Sequence, residues 1–195
     1  MPRIIDHEFR KQEILEKSRD VFEKHGYRNT NLLEIAKNCN IGRTTIYQYF
    51  KNKDEIFYEI LSNSLKEINS QIESIRQDNK LKFKEKIKEI IYRLTTNEKN
   101  TNTFVLLLEV WIVLKRENNK TLDKIKYYIR NIKDTLTDII DDAIEAKEIK
   151  VIDSKILAVN IYTLIETFAL ERTSYELDTK KKIESIHLLI DSLGI

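Results

Sequence analysis

Glycine and proline are nearly missing from this chain: its 195 residues include three Gly (Gly26, Gly42 and Gly194) and one Pro, at position 2. Strand-rich folds and alternating α/β folds turn on glycine, which reaches backbone angles that other residues avoid. So few breakers predict helices joined by short polar links, and the expected fold class is all-α. The same shortage removes some chemistry. A glycine-rich phosphate loop or a dinucleotide fingerprint cannot be written with glycines so far apart.

With 41% hydrophobic and 34% charged residues, the chain can bury a core and keep a solvated surface. Cys39 is the only cysteine, so no internal disulfide forms and a reducing compartment is the natural reading. The opening "MPRIIDHEFRKQE" has no apolar run long enough for a signal peptide. The most apolar stretch, Phe104 to Leu114, is interrupted by Glu109 and would span roughly 16 Å as a helix, against a bilayer core of about 30 Å. A soluble, cytoplasmic protein is expected. Its charge is uneven, with a net of +4 over residues 1–53 and −2 over the rest. That suits an anionic partner at the N-terminal end.

Helical periodicity organises the first fifty residues. Apolar positions 14, 15, 21 and 22, with the small Ser18, make one stripe, which stops at Gly26, the residue type favoured just past a helix end. A second helix begins at Asn31, with Glu34 three residues on as in a capping box. Asn40 tolerates a left-handed backbone in the turn that follows. "RTTIYQYF", residues 43–50, then reads as a third helix. Two short helices across a tight turn, with a supporting helix before them, form a helix-turn-helix whose second helix enters the DNA major groove. Ile46 and Phe50 share a face and are expected to be buried. Arg43 at the helix start suits a guanine or a phosphate. Thr44 and Thr45 offer a hydroxyl and a methyl each, Tyr47 stands one turn from Arg43, and Gln48 also points away from the buried face. Lys51 and Lys53 follow where they can clamp the sugar-phosphate backbone. Tyr49 lies about 100° from its neighbours and stays open between packing and phosphate contact.

Beyond residue 52 the pattern becomes long helices, expected over 53–76, 82–96, 102–117, 120–147, 154–174 and 179–193. "RQDNK", "TNEKN" and "RENNK" serve as polar breaks. About nine helices result, in two domains: 1–52 for DNA and 53–195 as a larger helical bundle. Ile125, Ile129, Ile132, Leu136, Ile139 and Ala143 mark a buried seam in one helix. Ile183, Ile186, Ile190 and Leu193 share one side of the last.

"GYRNTNLLEIAKNCNIGRTTIYQYFKNKDEIF", residues 26–57, resembles the TetR/AcrR family of transcriptional regulators. The shared marks are Gly26-Tyr27, Thr30, Ile35-Ala36, Thr45-Ile46-Tyr47, Tyr49-Phe50 and Lys51-Asn52-Lys53-Asp54. Asn40 stands where the family usually has Gly, and Gly42 where Ser commonly caps the recognition helix. The resemblance implies that Arg43, Thr45, Tyr47 and Tyr49 contact DNA and that Lys53 grips phosphate. It implies a homodimer through residues 154–174 and 179–193, with the Ile183, Ile186, Ile190 and Leu193 stripe suited to the contact. Two recognition helices would then meet a palindromic operator. It also implies a small-molecule effector and, most commonly, repression, with no cofactor or metal.

Phe104, Leu108, Trp111, Tyr128, Tyr162, Glu166 and Phe168 are candidate linings of an aromatic effector pocket, although core packing is the default role for each alone. Glu109 is an ionisable group inside an apolar run. It must pair with an Arg or Lys of a neighbouring helix or meet a cationic effector, because burying it alone costs several kcal/mol. Glu166, between Ile165 and Phe168, poses the same question. The competing readings are an enzyme, a helical adaptor that binds protein, and a DNA-binding protein whose larger part only dimerises. Against the first, His7, His25 and His187 are scattered and make no metal-ligand spacing.

Overall fold

The computed structural model describes residues 7–114, 120–174 and 179–192. Among them are nine helices and no strand. They are α1 (His7–Asn29), α2 (Leu32–Asn38), α3 (Arg43–Tyr49), α4 (Lys53–Arg76), α5 (Phe83–Thr96), α6 (Glu98–Leu114), α7 (Lys120–Glu145), α8 (Ser154–Ser174) and α9 (Thr179–Asp191). No helix among the described residues is long and apolar enough to cross a membrane. They fall into two compact units, one from residues up to 63 with 106–125, the other from 64–105 with 126 onward.

In the first unit, α1 buries Ile14, Leu15, Ser18, Val21 and Phe22. The Ser18 hydroxyl is satisfied by donating to the Ile14 carbonyl at 2.6 Å. The helix breaks at Gly26, whose φ of 74° and ψ of 167° no helix accommodates. One further turn, Tyr27 to Asn29, follows. Asn31 then caps α2, its side-chain oxygen accepting the N–H groups of Leu33 and Glu34, both at 3.0 Å. Only this half of the expected capping box forms, since the Glu34 carboxylate lies 3.4 Å from His25. Asn40 adopts the left-handed conformation, with φ of 54°. It lets the Ile41 N–H reach back to the Ala36 carbonyl at 3.0 Å and close α2. Ile35, Ala36, Cys39, Ile46 and Phe50 are all buried, so α2 and α3 are fixed by their inner faces.

In the second unit, α5 is flanked by α8 and α9 and buries Phe83, Ile87, Ile90, Ile91 and Leu94. The α7 seam is buried at Ile132, Leu136, Ile139 and Ala143, and Arg76 binds the Asp138 and Asp142 carboxylates at 2.9 and 3.1 Å. α6 starts four residues earlier than expected. Asn97 caps it by accepting the Asn100 N–H at 3.1 Å, so a polar stretch that reads as a break is a helix start. α7 ends at Glu145 rather than 147 because Lys147 turns left-handed, with φ of 57°.

The apolar stripe of α9 needs correction. Ile186 and Ile190 are 2% exposed, turned into their own chain's core, whereas Leu188 and Leu189 are 72% and 56% exposed. A helix packed on α5 spends its most regular apolar face there, leaving the less regular one outside. Leu193 lies outside the described residues.

Candidate nucleic-acid interface and effector core

α3 is seven residues long and divides cleanly by face. Ile46 is completely buried and Phe50, at its end, nearly so. Gly42 starts the helix in an extended conformation and offers no side-chain cap. Arg43, Thr44, Tyr47 and Gln48 are exposed and Thr45 is half-buried. Arg43 and Tyr47 act as a unit, the guanidinium lying 5.8 Å from the ring centroid. Five donor groups and a phenol tip therefore stand side by side on a rigid helix.

Tyr49 and Lys53 are engaged elsewhere. The Tyr49 ring stacks on His7 of α1, 4.5 Å between centroids and 24° from parallel. Nothing in the 43–50 stretch signals that partner, which arrives from 42 residues away. The Lys53 ammonium donates to the carbonyls of Tyr27, Arg28 and Thr30 at 2.7, 3.2 and 2.8 Å, and sits 4.6 Å from the Tyr27 ring centroid. An ammonium has three N–H donors, so this arrangement leaves none for the phosphate contact expected of it. Lys51 is exposed, and its backbone N–H donates to Glu55 at 2.8 Å.

The candidate effector residues separate. Phe104, Tyr162 and Phe168 are buried in the second unit, with the Phe104 and Tyr162 rings edge to face at 6.2 Å. The Tyr162 hydroxyl is buried beside the Glu166 carboxylate, and burial, with that charge and hydrogen bonding to it, raises its ionisation well above the ordinary phenol range. Burial likewise raises the Glu166 carboxyl, opposed by the Tyr162 hydroxyl and by the Lys133 charge. Lys133 lies 4.6 Å from the Tyr162 centroid and was not legible as part of this cluster. Its approach to Tyr162 of α8 follows from no local pattern. Tyr128 meets Tyr127 at 5.5 Å and Lys66 at 5.5 Å.

Leu108, Glu109 and Trp111 belong to the first unit. Leu108 is half-buried and Trp111 is exposed. Glu109 finds neither an expected cationic side chain nor an aromatic cage. Its carboxylate accepts the backbone N–H of Tyr27 at 2.8 Å.

A family model described as bacterial regulatory proteins, tetR family, matches residues 14–60, from the α1 stripe into α4. Over residues 14–60 the chain matches the TetR family. The chain is 35% identical over 85 residues to the uncharacterised HTH-type transcriptional regulator YhgD of Bacillus subtilis, covering 44% of each. The aligned stretch thus spans less than half of that relative's length. It is 27% identical over 143 residues to the fatty acid metabolism regulator protein of the same organism, covering 71% of this chain and 70% of that one. The solved structure of B. subtilis FadR in complex with stearoyl-CoA shares the fold, with a TM-score of 0.72 over 92% of this chain and 96% of the other, at 23% identity. These relatives are named as regulators, not as enzymes.

Proposed function

We propose that the chain is a transcriptional repressor that binds a palindromic operator as a homodimer and is released by a small-molecule effector. The observation that carries the reading is the outward face of α3. A helix this short, anchored by two buried side chains, presents Arg43, Thr44, Thr45, Tyr47 and Gln48 together. An arginine and a tyrosine exposed one turn apart suit base edges and phosphates. Lys51 adds a backbone contact beside them, and Tyr49 meets phosphate through its hydroxyl while its ring rests on His7.

Dimerisation is supported by α8 and α9. Ile156, Val159 and Leu170 of α8 and Leu188 and Leu189 of α9 are exposed apolar side chains, and such patches call for a cover. A second copy, adding its own α8 and α9, supplies one with two-fold symmetry. That symmetry places two α3 helices on half-sites about 34–36 Å apart.

The effector belongs with the buried aromatic cluster of Phe104, Tyr162 and Phe168, where Glu166, Lys133 and the Tyr162 hydroxyl supply polar groups. One relative's name and the ligand of a structural neighbour make a long-chain acyl thioester the first effector class to try. The decisive experiment selects bound duplexes from a random pool at near-physiological salt. Enrichment of a palindrome is expected, and failure to enrich any sequence would overturn the reading. Stearoyl-CoA titrated onto the selected complex should release it; an unaffected complex would exclude that effector class.

A further inference from the structure

Resting on the DNA-binding reading above, we infer that Glu109 of α6 is a positioning residue for operator recognition, holding from outside the first 52 residues the turn from which the recognition helices start. At Gly26 the backbone leaves the helical conformation, and the next N–H is that of Tyr27. Glu109 Oε1 accepts it at 2.8 Å. A carboxylate acceptor makes this a charge-assisted bond in a half-buried place. The close approach also depends on the glycine. A Cβ at position 26 would stand 2.8 Å from Glu109 Oε1 and 3.3 Å from Oε2, and the φ of +74° independently disfavours any side chain there.

The same turn is gripped from its carbonyl side by Lys53, through Tyr27, Arg28 and Thr30. The Tyr27 hydroxyl donates to Asp54 at 2.7 Å. Within the turn, the Thr30 hydroxyl donates to the Gly26 carbonyl at 2.8 Å, and Asn31 begins α2 by capping it. An anion on α6 and a cation on α4 thus hold opposite poles of one short turn; α2 follows directly from it, and α3 comes after the Asn40 turn. Rotating α6 about its axis would withdraw the carboxylate and free the turn on one side.

The test compares E109A, E109D and E109Q on the selected duplex and on a scrambled duplex at one salt concentration, with melting temperatures and Tyr27 amide exchange measured in parallel. Glutamine keeps an oxygen that can accept the N–H, whereas aspartate retracts its carboxylate by one methylene. E109A and E109D should lose about tenfold or more in affinity for the selected duplex with little change on the scrambled one. E109Q should retain most of the wild-type discrimination, and Tyr27 exchange should quicken in E109A and E109D only. If E109A does not fold, the contrast between E109D and E109Q decides. Wild-type discrimination in E109D, parallel loss on both duplexes, or unchanged Tyr27 exchange would overturn the inference. A wild-type protein that enriches no duplex would instead overturn the functional reading, and Tyr27 exchange would still report whether Glu109 holds the turn.

Discussion

Lys53 looks like a surface cation in the sequence, yet it closes three carbonyls that would otherwise lie open at the end of α1. K53M should destabilise the N-terminal unit by about 1–3 kcal/mol, measured by thermal or urea unfolding, beyond any effect on DNA. Glu166 gives a pH-dependent counterpart. Its folded-state pKa is raised by burial, so the unfolded chain releases that proton first as pH climbs past about 4.3. Stability contributed by the protonated form is then lost up to the raised value. E166Q should gain on the wild type in melting temperature as pH rises through that window, and parallel melting curves across pH would refute this. Tyr47 and Tyr49 show what a single residue reveals in advance. Their different faces follow from helix geometry alone, and Tyr47 is indeed exposed. The partners of Tyr49, Lys53 and Glu109 were illegible, because each comes from a distant segment that only the folded chain brings near.

At the level of helices, periodicity located every element and placed most ends within two residues. The α6 start was missed because a capping asparagine and a linker asparagine look alike until the Asn100 N–H is seen pointing at Asn97. On α9 a regular stripe marked the buried face, and nothing in spacing says whether the cover is the same chain or another. The distinction is measurable. I186A should cost about 2–5 kcal/mol by opening the core, seen as a lowered unfolding midpoint. L188E should leave the monomer folded and weaken self-association, read by sedimentation. A dimer that persists in L188E would shift the proposed interface away from this face.

For the molecule as a whole, the basic charge sits in the segment that carries α1 to α3, and operator binding should inherit a steep salt dependence. The logarithm of affinity against the logarithm of salt should fall linearly, and K51M should flatten the slope by about 0.9 for each phosphate contact removed. A slope that K51M leaves unchanged would take Lys51 off the backbone. The proposed effector core is the least legible part of the molecule. Phe104, Tyr162 and Phe168 are buried aromatics, but burial is common to core and pocket, and the sequence carries no mark that separates them.

The two glycines of the N-terminal unit foretell opposite fates under mutation. Gly42 has a negative φ of −72°, and a Cβ there would meet only Thr45 Oγ1, at 3.9 Å. That site has latitude, and a serine would add the missing cap. Gly26 has none: every replacement brings a side chain into a forbidden backbone region and against a carboxylate. In a library of point variants selected in cells for a working regulator, position 42 should fill with several residues while position 26 stays glycine. A lineage can drift at one and not at the other.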